Sequence, residues 1–141
     1  MSDPGSLRQL FLKHSNNGKA SVQNVTQVLK SHLGITNLEY LNQVVKIISH
    51  NNDYQIGEQE FSQLIYAYLQ PDEPIQQLFY ASDDDRLGEL TKTQFELLCM
   101  QLNVVLSERA LAELVRKFTK DSKFTALSWS RAWMFIQQQI Q

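Results

Sequence analysis

Apolar residues recur at helical spacing on both sides of a polar segment in the second half of the chain. Ile75, Leu78 and Phe79 precede this segment, and Phe95 and Leu98 follow it, at intervals of three and four residues. Such intervals place side chains on one face of an α-helix. The pattern therefore predicts two amphipathic helices that flank a polar loop.

The polar segment, which we call loop three, has the length of a calcium-binding loop. It runs over twelve residues from Asp83, at position 1, to Gln94, at position 12, with Gly88 at the sharp turn of position 6 and Leu90 at the apolar position 8. In these features it resembles an EF-hand loop. Position 5 is Leu87, which has no side-chain oxygen, and position 12 is a neutral amide where a Glu normally supplies two oxygens and a charge. The resemblance implies the helix–loop–helix architecture without its calcium chemistry.

The same helix face recurs before three further segments, which we call loops one, two and four. Loop one lies around residues 15–21, and an alignment from the preceding helix leaves it two residues short. An alignment from Gly18 restores the length but puts Lys13 at position 1 and Asn24 at position 12. Neither alignment supplies a carboxylate between Lys13 and Asn24, so neither predicts a calcium site.

Loops two and four are also incomplete as calcium sites. Loop two, residues 49–60, keeps Glu60 at position 12 but has Tyr54 in place of the turn glycine and no carboxylate at position 1. Loop four, residues 119–128, has lysines where ligands belong and needs one extra residue to place Leu127 at position 8. We expect the apolar position-8 residues to pair the loops through short β segments: Ala20, Ile56, Leu90 and Leu127.

Capping residues and prolines predict where the helices begin and end. Helix two is expected over 22–33 with Gly34 as its C-cap, and residues 36–39 read as a capping box that opens helix three. Pro71 and Pro74 cannot both lie inside a continuous helix. The sequence therefore predicts an all-α fold of two lobes, residues 1–70 and 75–141, each a pair of helix–loop–helix units, with a linker at 71–74.

Composition narrows the possible functions. The net charge is −2 with scattered Lys and Arg, which argues against nucleic-acid binding, and no apolar run approaches the roughly 20 residues of a membrane span. The N-terminus lacks the features of a signal peptide, and the single cysteine, Cys99, lies on an apolar helix face, which together favour a cytoplasmic protein. We find no nucleophile and base pair, no phosphate-binding glycine loop and no metal-ligand cluster, and so predict neither an enzyme nor a metal protein.

Four degenerate units in two lobes are similar to the calmodulin and myosin light-chain branch of the EF-hand superfamily. This resemblance implies a calcium-independent light chain that binds an IQ-type amphipathic helix of a myosin heavy chain, an unconventional one, and associates with the cytoskeleton. Besides Met1, methionine occurs only at Met100 and Met134, which favours a single target over calmodulin-like promiscuity. The alternative is a calmodulin-like calcium sensor using weakened loops two and three. No cofactor is predicted, although weak calcium binding at these two loops stays open.

The second lobe is predicted to supply the main grip on the partner helix, because its inner face carries large apolar groups. The first lobe is expected to dock more loosely, since its corresponding positions are smaller or more polar. The predicted partner-binding residues are Phe79, Phe95, Leu98, Leu114, Val115, Phe118, Phe135 and Ile136.

Overall fold

A computed structural model of the protein describes residues 4–49 and 55–140, which form eight helices and four two-residue strands. The helices are α1 (Pro4–His14), α2 (Val22–Leu33), α3 (Leu41–Ser49), α4 (Glu58–Leu69), α5 (Gln76–Ser82), α6 (Lys92–Gln101), α7 (Glu108–Phe118) and α8 (Ala126–Ile140). The strands are β1 (Ala20–Ser21), β2 (Gln55–Ile56), β3 (Leu90–Thr91) and β4 (Lys123–Phe124). The protein is thus mostly helical, as its periodicity predicts.

The four strands pair antiparallel in twos and so join neighbouring loops. Ala20 lies opposite Ile56, and Leu90 lies opposite Phe124. The prediction that Leu127 pairs with loop three is wrong. Leu127 lies in the first turn of α8 and is 51% exposed, whereas Phe124 is fully buried. Burying the larger aromatic side chain gains more than burying a leucine at the same place. Loop four therefore spans residues 117–128, with Ser122 in the left-handed conformation (φ 66°) at position 6.

Loop one is shorter than loop three in the segment between the preceding helix and the strand. Five residues separate α1 from β1, whereas seven separate α5 from β3. Asn16 and Lys19 exchange backbone hydrogen bonds of 2.7 and 3.1 Å, with Asn17 and Gly18 between them at φ values of 56° and 77°. This is the two-residue Asn-Gly turn typical of tight hairpins. Loop one is therefore two residues shorter than loop three, as the first alignment predicts. From Gly18 onward, its residues keep the loop positions that the second alignment gives them.

Hydroxyl side chains cap the start of four helices. The hydroxyl oxygens of Ser21, Thr91, Ser107 and Thr125 accept hydrogen bonds of 3.1, 3.2, 3.1 and 3.2 Å from the backbone N–H three residues on. Gly34 ends α2 in the left-handed conformation, as predicted. The predicted capping box at 36–39 is wrong, because α3 begins at Leu41 and the side chain of Asn37 instead accepts a hydrogen bond from the N–H of Glu39.

The short helix α5 joins the two halves of the molecule, which we call the first lobe (residues 4–70) and the second lobe (75–140). It packs against α3 and α4 of the first lobe and against α8 of the second. Five of its seven residues are buried, including Gln76 and Gln77, and the buried apolar side chains of both lobes form one cluster. Apolar contacts therefore connect the two lobes across the linker. The division of the chain into two domains stays a prediction.

Candidate functional site

Burial divides the eight predicted partner-binding residues into two groups. Phe79, Phe95 and Leu98 have no exposed surface, and Phe95 stacks on Phe124 with ring centroids 4.0 Å apart. Because these three side chains are sealed inside the second lobe, they stabilise the lobe and reach no partner in this conformation. The remaining five residues lie nearer the surface: Leu114, Val115, Phe118, Phe135 and Ile136.

Three of those five line an open groove of about 920 Å³ between α7, α8 and the segment that joins α6 to α7. Leu114 and Ile136 form its floor, and Phe135 lies half-buried beside them. The joining segment adds Val104 to Leu106, with Val105 84% exposed. An exposed valine beside a concave apolar surface is the arrangement expected of a partner site rather than of a sealed core.

Charged side chains rim this groove along α7. Arg116 and Lys117 lie in the last turn of α7, and Glu113 lies one turn earlier. The ammonium nitrogen of Lys117 is 4.1 Å from the centroid of the Phe135 ring, which fixes this cation over the groove wall. Arg109 pairs with Glu113 at 3.6 Å, so the one carboxylate on the rim already has a cationic neighbour.

Loop three is held by hydrogen bonds from within the protein. Asp83 is fully buried, and its carboxylate accepts hydrogen bonds from the N–H groups of Leu87 (3.2 Å) and Gly88 (2.9 Å). The hydroxyl of Tyr66, on α4, donates a third hydrogen bond of 2.6 Å to the same carboxylate. Burial, followed by the hydrogen bond to Asp83, raises the pKa of Tyr66 well above its ordinary value, so this donor stays protonated.

A second set of contacts ties the same loop to α4. The amide nitrogen of Gln63 donates to the carbonyl oxygens of Tyr80 (2.9 Å) and Asp83 (3.1 Å). Arg86, in the left-handed conformation (φ 56°), donates to Ser62 at 2.9 Å and lies over the Tyr66 ring at 5.2 Å. Loop three is thus a connection between the lobes. Sequence reasoning missed this role because Gln63 and Tyr66 lie off the apolar face of α4.

The side chains at position 12 of the loops cap helices. In loops two, three and four, Glu60, Gln94 and Ser128 each accept a 2.8 Å hydrogen bond from the backbone N–H three residues earlier. In loop one, the amide nitrogen of Asn24 donates to the carbonyl of His14 at 3.0 Å. A cation in loop two, three or four would compete for a side-chain oxygen that already accepts a hydrogen bond.

Several remaining sequence predictions concern single residues. In loop two, the oxygen-bearing residues Asn51 and Asp53, and Tyr54 at the position of the turn glycine, lie outside the described part of the chain. Cys99 is buried as expected, and burial together with nearby Glu96 raises the pKa of its thiol to about 12, so it is not a reactive thiolate.

Trp129 is fully buried and stacks on half-buried Trp133, with ring centroids 6.0 Å apart.

Comparison with known protein families and with curated proteins finds no match to this chain. In the described residues, none of the helices combines the length and apolar character needed to cross a bilayer.

Proposed function

We propose that this protein is an EF-hand-type adaptor, similar to a myosin light chain, that binds an amphipathic helix of a larger protein without needing calcium. The observation that carries the proposal is the open apolar groove of the second lobe, lined by Val105, Leu114 and Ile136. Helix-binding proteins take the apolar face of an amphipathic helix into a groove of this kind. The family resemblance supplies one candidate partner, an IQ-type helix of a myosin heavy chain.

The hydrogen bonds of the loops support calcium independence. Loop three lacks a ligand at Leu87 and a carboxylate at Gln94, and its Asp83 is satisfied by three protein hydrogen bonds. Calcium-driven sensors need a full set of oxygen ligands in their loops, because the bound ion exposes their groove.

A calcium sensor is the second candidate, and the geometry of loop three favours it in one respect. Asp85, at position 3 of the loop, is exposed, which leaves a carboxylate accessible near position 1. Calorimetry with calcium separates the two candidates. A micromolar dissociation constant would favour the sensor.

Calorimetry with helical peptides in EGTA tests the adaptor proposal. The probes are a synthetic IQ-type peptide and a leucine-rich amphipathic peptide, and the variant is Val105→Ser, which removes an exposed apolar side chain from the groove. Losing this contact should weaken binding about fivefold, since burying a valine contributes roughly 1–2 kcal/mol. Leu12→Ser is the matched control, because Leu12 is 56% exposed on α1 in the first lobe. Equal losses in both variants, or no binding of either peptide, would contradict the proposal.

A further inference from the structure

The end of α7 and loop four form a basic surface on a chain that is slightly acidic overall. Four of the eight residues from 116 to 123 are cationic and one is acidic. A second depression of about 390 Å³ lies here, and its lining includes Lys92, Arg116 and Lys120 but no carboxylate. The hydroxyl-bearing residues Thr119 and Ser122 complete its polar lining. This surface suits an anionic group.

Arg116 lines both the apolar groove and this basic depression. The two therefore adjoin across the last turn of α7. A ligand that fills the groove has Arg116 and Lys117 along one flank, with Lys120 just beyond. A single ligand can therefore place an apolar face in the groove and a charged flank against Arg116, Lys117 and Lys120.

The cations on this flank are not neutralised by the protein itself. In the described part of the chain, the ion pairs are Arg8–Glu58, Arg109–Glu113 and Lys123–Glu89, and none involves Arg116, Lys117 or Lys120. Across the groove, Asn103 and Gln139 carry no charge. The lining of the groove therefore carries two cations and one carboxylate, already paired with Arg109, on its α7 side and no charge on the other.

We propose that the occupant of the groove is an amphipathic helix of a partner protein whose flank facing α7 carries Asp or Glu side chains. The apolar face enters the groove, and the carboxylates pair with Arg116, Lys117 and Lys120. This inference rests on the proposed function and specifies the chemistry of its partner. A strongly basic IQ-type helix would place like charges against the α7 rim and is disfavoured for that reason.

Three synthetic peptides with one apolar face test the partner's charge. They differ only on one flank, which carries three Glu, three Gln or three Lys residues, and binding to the full chain is measured by calorimetry in EGTA at low and high salt. Each exposed charge pair contributes modestly, so the Glu peptide should bind about tenfold more tightly than the Gln peptide, with the advantage shrinking at high salt. The Lys peptide should bind most weakly.

A paired variant locates the effect on the protein. Arg116→Gln together with Lys120→Gln should remove most of the preference for the Glu peptide while leaving affinity for the Gln peptide within about twofold. Lys30→Gln, at an exposed lysine of α2 in the first lobe, is the matched control and should change neither. Circular dichroism verifies that the variants stay folded.

The outcomes distinguish the acidic-flank inference from the proposed helix-binding function. Equal affinity for the three peptides, or the tightest binding by the Lys peptide, overturns the acidic-flank inference and leaves the helix-binding function standing. Absence of binding by all three contradicts the proposed function itself. Concentration-dependent self-association of the free protein that is abolished by Val105→Ser, measured by sedimentation, would show that a second copy occupies the groove and overturn the inference.

Discussion

The two lobes share a repeated helix–loop–helix plan but differ in what covers their apolar surfaces. In the first lobe, α3 and α4 pack against α5, so part of their apolar surface is covered by the protein's own chain. In the second lobe, the surface between α7 and α8 remains an open groove. The helix α5 thus acts as an internal partner of the first lobe. The difference explains why the second lobe is the better candidate for binding an external helix.

Phe79→Ala should have the largest effect, because it removes a fully buried ring from the helix that joins the lobes. Phe79 lies against Tyr80 and Trp129, with ring centroids 5.0 and 6.4 Å away. We expect a loss of about 3–5 kcal/mol in the free energy of unfolding. Urea denaturation followed by tryptophan fluorescence and circular dichroism measures it.

The same experiment probes whether the lobes unfold together. If α5 couples them, both probes should report one transition in the native protein. Two transitions, of which Phe79→Ala shifts only one, would mean that the lobes are independent. Leu87→Ala is the control, since Leu87 is 71% exposed and its truncation should cost under about 0.5 kcal/mol.

Asp83→Asn should destabilise the protein by about 2 kcal/mol, because it weakens three hydrogen bonds to a buried carboxylate. Tyr66→Phe removes one of the three and should cost about 1 kcal/mol. Thermal denaturation at neutral pH measures both. An unchanged melting temperature in both variants would contradict the conclusion that loop three connects the lobes.

Ionisation of buried tyrosines should make the free energy of unfolding depend on pH at alkaline pH. The pKa values of Tyr66, Tyr68 and Tyr80 are raised above the ordinary value of 10.0, chiefly by burial. Above pH 10 these side chains ionise in the unfolded chain before they ionise in the native protein, so stability present at neutral pH is lost as pH rises. Tyr66→Phe should make this loss shallower, and an identical slope in both proteins would contradict the assignment.

Gly18→Ala should cost about 1 kcal/mol, since Gly18 has a φ of 77° and no atom blocks an added Cβ. The cost is backbone strain in the Asn-Gly turn of loop one. Gly88→Ala, at φ 76° in loop three, is the matched change in the other lobe. Equal melting-temperature shifts are expected, and a much larger shift for Gly18→Ala would mean that loop one has a role beyond its turn.

Calcium should have the smallest effect. Even a site with a millimolar dissociation constant adds only about 0.4 kcal/mol at 1 mM calcium, so the melting temperature should barely move. Restoring oxygen ligands with Leu87→Asp and Gln94→Glu together should create binding in loop three that calorimetry detects, whereas Gln94→Glu alone supplies only one of the two missing ligands. Micromolar binding by the unaltered protein would contradict the account.

Helical periodicity located most of these elements because each helix buries one face. The bounds of α2 match the prediction, and Ala20, Ile56 and Leu90 pair as expected. Phe124 was missed because loop four was counted from the wrong residue. The Asn17-Gly18 pair was an available signal for the tight turn of loop one.

The site was less predictable than the helices. Periodicity shows which face of a helix is apolar but not whether the protein itself covers that face, so it did not separate the fully buried Phe79, Phe95 and Leu98 from the residues of the groove. The burial of Gln76 and Gln77 between the lobes has no local sequence signal either. Val105 and the cations of α7 were missed because neither lies on a helix's inner face.

The central claim is that the groove of the second lobe binds an amphipathic helix without calcium. Titrating the ¹⁵N-labelled full chain with the Glu-flanked peptide in EGTA, and again with calcium, tests it most directly by NMR. We expect amide shifts concentrated at residues 103–117 and 133–139, little change in α3 and α4, and the same affinity in both conditions. Shifts centred on the first lobe, or binding only with calcium, would contradict it.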